Sequence, residues 1–132
     1  MIVDSSALVA ILKREPERGA FSDLLEATPD VKVSAATYFE TCIVIDSQRQ
    51  PSMSRMLDDL IEVSGIAIEP VTAAQAKIAR QAYRDYGRGS GHPANLNFGD
   101  CFTYALARDK REPLLYKGDD FVHTDLRPAI VL

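Results

Sequence analysis

The chain has 132 residues, 46% of them hydrophobic and 26% charged, with a formal net charge of −4. This suits one soluble domain over residues 1–132 with a single core, and an acidic balance speaks, weakly, against a dedicated basic nucleic-acid binder, because carboxylates gathered around a metal also inflate the acidic count. No apolar run approaches the roughly 20 residues of a membrane span, no signal peptide is expected ahead of Met1-Ile-Val-Asp4, and Cys42 and Cys101 offer neither a disulfide framework nor CxxC metal spacing, so a cytoplasmic, reducing compartment is expected.

Ile2-Val3 reads as a short buried strand ending at Asp4. Ser5 or Ser6 then caps a helix through Ala7–Leu12. Pro16 ends it or starts the next helix, whose apolar positions Phe21, Leu24 and Leu25 have helical spacing. Val31-Lys32-Val33 is a second strand. Thr37 to about Arg49 reads as a helix with Phe39, Cys42, Ile43 and Ile45 among its apolar positions. After Pro51 and Ser52, the stripe Met53, Met56, Leu57, Leu60, Ile61 is amphipathic. It suits a core-facing helix first and a dimer surface second.

Ile66-Ala67-Ile68 is a third strand. Thr72 caps a helix with Ala76, Ala79, Tyr83 and Tyr86 on one face. Gly87–Pro93 is a glycine-rich loop, fit for close backbone approach or a mobile lid. Phe98–Arg108 is helical again, Leu114-Leu115-Tyr116 is a fourth strand, and Ile130-Val131-Leu132 a candidate last one. Short apolar strands alternating with helices predict a mostly parallel sheet with helices on both faces. Ligands of such sheets gather beyond the strands' carboxyl ends.

Four carboxylates fall at strand ends or helix starts: Asp4, Glu40, Asp100, and Asp119 beside Asp120. Each has a plain structural reading. Asp4 suits a helix cap, Thr37-x-x-Glu40 is a capping-box pattern, and Asp100 follows the good cap Asn97 and complements a helix dipole. Gly118-Asp119-Asp120 is a natural turn. If they converge, they cannot all stay ionised without a counter-charge, and a hard divalent cation bound through oxygen supplies it.

The strings Ile-Val-Asp4-Ser-Ser-Ala-Leu, Thr-Tyr-Phe-Glu40, Asn-Phe-Gly-Asp100-Cys-Phe and Tyr-Lys-Gly-Asp-Asp-Phe resemble, in order and across the chain, PIN domains, and more narrowly VapC-type toxins of bacterial toxin–antitoxin pairs. The resemblance implies a three-layer α/β/α sandwich around a mostly parallel sheet. It implies a Mg²⁺- or Mn²⁺-dependent ribonuclease, a homodimer, and a toxin–antitoxin hetero-oligomer in which a VapB-type antitoxin neutralises the toxin. Asp4, Glu40 and Asp100 match the family's three firm acids. Asp119 is taken as the fourth, with Asp120 as the alternative. Ser6 matches a supporting hydroxyl near the first acid, with helix capping as its equal alternative.

Such a site would hydrolyse a phosphodiester, with Asp4 and Asp100 ligating the ion directly, Glu40 and Asp119 completing the site, and Glu40 preferred as the base. Arg80, Arg84 and Arg88 recur every four residues and lead toward Asn95, Asn97 and Asp100, a basic track for RNA phosphates. Lys117 is a further phosphate contact, and Tyr83 or Tyr86 a stacking ring. His92 and His123 read as surface residues. Leu8, Ile11 and Leu12 are candidate walls of an antitoxin groove. Transfer RNA is the target that resemblance suggests. The other readings are a PIN-type nuclease in RNA processing or DNA metabolism and a non-catalytic RNA-binding regulator. An aspartate-nucleophile phosphatase is disfavoured, since Asp4-Ser-Ser lacks the Asp-x-Asp string.

Overall fold

Two neighbouring dipeptides of the sheet, Ile2-Val3 and Leu114-Leu115, have all four side chains at 0% exposure. Each such burial removes apolar surface worth about 1.5–3 kcal/mol. The computed structural model describes residues 1–132. In chain order the elements are β1 (Ile2–Val3), α1 (Ser5–Leu12), α2 (Arg18–Ala27), β2 (Lys32–Ser34), α3 (Ala35–Asp46) and α4 (Pro51–Val63). Then come β3 (Ala67–Glu69), α5 (Ala73–Tyr86), α6 (Phe98–Lys110), β4 (Leu114–Leu115) and a 3-10 turn at Phe121–His123. The sheet order is β3-β2-β1-β4, and every pairing is parallel. Ile2 pairs with Lys32 on one side and Leu114 on the other.

Period-two alternation sends each strand to both faces. Val3, Val33 and Leu115 pack with Leu8 of α1 and with Phe21 and Leu25 of α2. Ile2 and Leu114 pack with Ala82 of α5 and with Tyr104 and Leu106 of α6. A third cluster joins Leu12, Ile45 and Leu57 from α1, α3 and α4. The result is the α/β/α layering that the alternation of elements predicts.

Several details depart from the sequence reading. Pro51 does not interrupt but occupies the first turn of α4, where its missing N–H costs nothing. Ile130–Leu132 form no strand. The last contact with β4 is a single bridge between Leu114 and Pro128, flanked by Leu114 N donating to Arg127 O and Ala129 N to Leu114 O. In α3 the buried positions are Thr37, Thr41 and Ile45, while Phe39 and Ile43 are 64% and 53% exposed. The threonines bury because each hydroxyl finds a partner: Thr41 bonds the Thr37 carbonyl and Thr37 bonds Thr103. In α5 the inward residues are Gln75 and Ala82, with Ile78, Ala79 and Tyr86 beside them. Gln75 is tolerated inside because its amide donates to Asp109.

The glycine-rich loop is anchored at both ends. Arg88 N donates to Leu96 O, Leu96 N to Tyr86 O, and Ala94 and Leu96 are fully buried. Gly89 and Gly91 take φ of +87° and +84°, where side chains are strained. This joint brings the end of α5 to the start of α6, beside Asp100.

Candidate active site

Asp4 leaves β1 at its carboxyl end and is 4% exposed. It is the N-cap of α1: Oδ2 accepts from Ser6 N at 3.0 Å. Oδ1 accepts from the Thr103 hydroxyl at 2.6 Å. The serines expected to cap α1 do other work. Ser5 Oγ donates to Glu40 Oε1 at 3.0 Å, and Ser6 Oγ accepts from Lys117 N at 2.9 Å.

Glu40 is not in a capping box. The N-cap of α3 is Ser34, which bonds Ala36 N, and Thr37 lies inside the helix. The Glu40 carboxylate instead lies against Gly99, where any Cβ would fall on its oxygens. Glycine here leaves the Glu40 carboxylate room at the start of α6. The capping box of the chain is Asn97 with Asp100: Asp100 N donates to Asn97 Oδ1 at 2.8 Å, and Asn97 N to Asp100 Oδ2 at 3.0 Å.

Burial pushes the Asp100 carboxyl up to about 6, against the Asn97 amide that lowers it, and the charges of Asp4, Asp120 and Glu40 push it further the same way. Three acids distant in sequence therefore act on Asp100. None of them has a Lys or Arg partner among the ion pairs of the molecule. Asp120 is the member of the turn whose charge reaches Asp100, whereas Asp119 acts on the Tyr116 phenol. Both aspartates of the turn are exposed at the end of the strand that Asp100 faces across the site.

The donor set is all carboxylate and hydroxyl oxygen, the kind a hard divalent cation takes. As they stand, no three of the acidic, histidine or cysteine side chains surround a common point. Asp4 and Asp100 each spend lone pairs on backbone amides and keep others free. The residues present fit such an ion.

The hydroxyls that bond the acids belong to Ser5 and Thr103, not to Ser6. Thr103 follows Asp100 by three residues, so both lie on one face of α6; that spacing was the available signal. Lys117, expected to face RNA, is instead tied to Glu15 Oε2 at 3.1 Å and Glu17 Oε2 at 3.0 Å. The Glu17 contact is an ion pair without aligned hydrogen-bond geometry. Lys117 beside it holds Glu17 below the ordinary carboxylate range. Arg80, Arg84 and Arg88 are exposed and form no ion pair. Tyr86 is half-buried against His92 and Tyr104, which removes it as a stacking ring; Tyr83 is 50% exposed. His92 accepts from Ala94 N and serves the loop.

Residues 1–126 match the PIN domain family. The chain is also 57% identical over 130 residues to ribonuclease VapC28 of Mycobacterium tuberculosis, covering 98% of both chains. The chain belongs to the PIN domain family and, within it, to the VapC proteins. Among solved PIN-like folds it is similar to VapC20 of M. tuberculosis, described as a sarcin–ricin loop cleaving toxin. The TM-score is 0.71 at 20% identity, over 96% of this chain and 98% of that one. A toxin–antitoxin complex from Klebsiella pneumoniae gives 0.65 at 20% identity, over 91% and 88%. At such identity these two structures speak for the fold alone. No helix of this PIN domain is long and apolar enough to cross a membrane.

Proposed function

We propose that this PIN domain is a Mg²⁺-dependent endoribonuclease, with Mn²⁺ an alternative ion, acting as the toxin of a toxin–antitoxin pair. The observation that carries the proposal is the buried Asp100 carboxyl, raised to about 6 by burial first and then by the charges of Asp4, Asp120 and Glu40 around it. Identity to named VapC ribonucleases at 57% over nearly the full chain supports the same reading.

Asp4 and Asp100 would hold the ion, with Glu40 and Asp120 completing the site; the sequence alone had favoured Asp119 for the last place. When bound, a divalent ion lowers the pKa of water and neutralises charge on the phosphoryl oxygens. The chain's own groups do the rest. Glu40, steadied by Ser5, accepts a proton from the attacking water. Thr103 and Ser6 N hold Asp4 in one orientation. Ser6 in turn supports the turn after β4 through Lys117 N. Arg84 and Arg88, at the joint between α5 and α6, attract RNA phosphates, and transfer RNA is the proposed target.

Two surfaces suit protein partners. The exposed Phe39 and Ile43 of α3, beside Glu40, suit a second copy of the chain. A hollow of about 320 Å³ between α1, α2 and α4 is lined by Ile11, Leu12, Met56, Leu60 and Val63 with Arg18 and Asp59 at its rim. It suits an amphipathic segment of a VapB-type antitoxin. Leu8 is fully inside and lines no groove.

The test is cleavage of total RNA by the purified protein with Mg²⁺, Mn²⁺ or EDTA, beside Asp4→Asn and Asp100→Asn. Discrete cuts that need metal and vanish in both folded variants support the reading. Cuts unchanged by either substitution, or no cuts at all, would sink it. Growth arrest on expression, relieved by the product of a neighbouring small gene, tests the toxin pairing.

A further inference from the structure

The acid-bearing turn after β4 has little to hold it. Residues 118–120 are exposed, and Gly118 takes a φ of +101°. No backbone–backbone hydrogen bond outside the regular elements involves residues 117–120. The turn is fixed from its two ends. On the far side Phe121 is buried against Tyr116, ring centroids 5.5 Å apart. On the near side Lys117 is held three times: its amide by Ser6 Oγ at 2.9 Å, its ammonium by Glu15 and Glu17 at 3.1 and 3.0 Å.

Glu15 and Glu17 come from the short connection between α1 and α2, an element with no other tie to the site. We propose that Glu15 and Glu17 are positioning residues: through Lys117 they set the turn that presents Asp120 to the carboxylate site. The proposal rests on the metal-site reading above and goes beyond it by giving the α1–α2 connection a function. It also reassigns Lys117 from RNA contact to brace.

Geometry makes the brace specific. A lone lysine after the strand would be drawn to the acids that follow it, pairing with Asp120 or Asp119 and blocking their use. Instead Glu15 and Glu17 hold the ammonium, and none of the site acids pairs with it. Each ion pair is only partly exposed, with side-chain exposures of 33% for Lys117, 33% for Glu15 and 25% for Glu17. Isolated surface pairs contribute little to global stability. Their removal should therefore change the turn more than the fold.

The experiment measures Mn²⁺ affinity by electron paramagnetic resonance in the absence of RNA, together with Tm, for the wild type, Lys117→Met, Lys117→Arg and the double variant Glu15→Gln/Glu17→Gln. Steady-state RNA cleavage at saturating metal is measured alongside. The expected result is Mn²⁺ binding weakened about five- to tenfold in Lys117→Met and in the double variant, a loss of the size that supporting partners of metal ligands carry. Lys117→Arg restores most of it, and Tm stays within a few degrees of the wild type throughout.

Unchanged Mn²⁺ affinity in both disrupting variants overturns the proposal and leaves the nuclease reading intact. A double variant that instead lowers KM for RNA, with Lys117→Met raising it, also overturns it and returns Lys117 to phosphate binding. A wild type that binds no Mn²⁺ overturns it outright. A wild type that binds Mn²⁺ with the expected variant losses, yet cleaves no RNA, removes the ribonuclease reading and leaves the brace standing.

Discussion

The hydroxyl of Thr103 donates to Asp4 Oδ1 across 2.6 Å, so the 3.0 Å contact between Thr103 and Thr37 must have Thr37 as its donor. A hydroxyl has one proton to give. The relay Thr37 to Thr103 to Asp4 runs from α3 through α6 to the end of β1, entirely out of solvent. It fixes the orientation of the most buried acid of the site from two helices at once.

Thr103→Val keeps the volume of this position and removes the relay. The Thr37 hydroxyl is left buried without an acceptor, at a cost of about 1–3 kcal/mol by urea unfolding. RNA cleavage falls about tenfold or more, because Asp4 loses its second fixed partner. In the double variant Thr37→Val/Thr103→Val the unpaired hydroxyl is gone, so part of the stability returns while activity does not. Recovery of both would show that Asp4 needs no support from Thr103.

Gly99→Ala separates helix stability from geometry. Alanine is the better helix former by about 1 kcal/mol, yet its Cβ would meet the Glu40 carboxylate. Glu40 must swing away from α6. Cleavage is expected to drop about a hundredfold with Tm unchanged or higher, measured by RNA cleavage beside thermal unfolding. Full activity in this variant would exclude Glu40 from the chemistry.

Asp100→Asn should stabilise the metal-free protein at neutral pH. Asp100 has a folded value of about 6 against an ordinary 3.8. Between those values the native state keeps a proton that the unfolded chain releases, so wild-type stability falls as pH rises through that window. Asparagine carries no such penalty. In EDTA, its Tm should exceed the wild type's by about 3 °C at pH 7.5, roughly what 1 kcal/mol produces in a domain of this size. The gap should close by about pH 3, where the wild-type carboxyl is protonated in the folded state and largely so in the unfolded one.

Glu112 works in the opposite sense. Burial raises its carboxyl, but Lys32 and the N-terminal ammonium together lower it below the ordinary 4.5. A depressed folded value contributes stability above the unfolded value, lost as pH falls through the folded one. Glu112→Gln should therefore lower Tm at pH 7, and the difference should shrink as pH drops below about 4.5. A difference that grows in acid would contradict the pairing.

The sequence by itself determined the order of elements, because period-two and helical apolar spacing is a local property that needs no partner to be read. It placed strands at Ile2-Val3 and Leu114-Leu115-Tyr116, the latter one residue longer than observed, the cap at Thr72 and the helix after Asn97, and it carried the family resemblance in four short strings. It also marked the acids Asp4, Glu40 and Asp100 as members of one set. What only the tertiary structure decided were matters of which group meets which across long separations. Thr103 meets Asp4 over 99 residues and Lys117 meets Glu15 over 102. The charge of Asp120 bears on the buried Asp100, 20 residues earlier in the chain. The hydroxyl face of α3 turns inward and its Phe39 outward. A hydroxyl or a carboxylate has no preferred side until a partner is fixed in space, and the packing of α3 and α6 over the sheet fixes it.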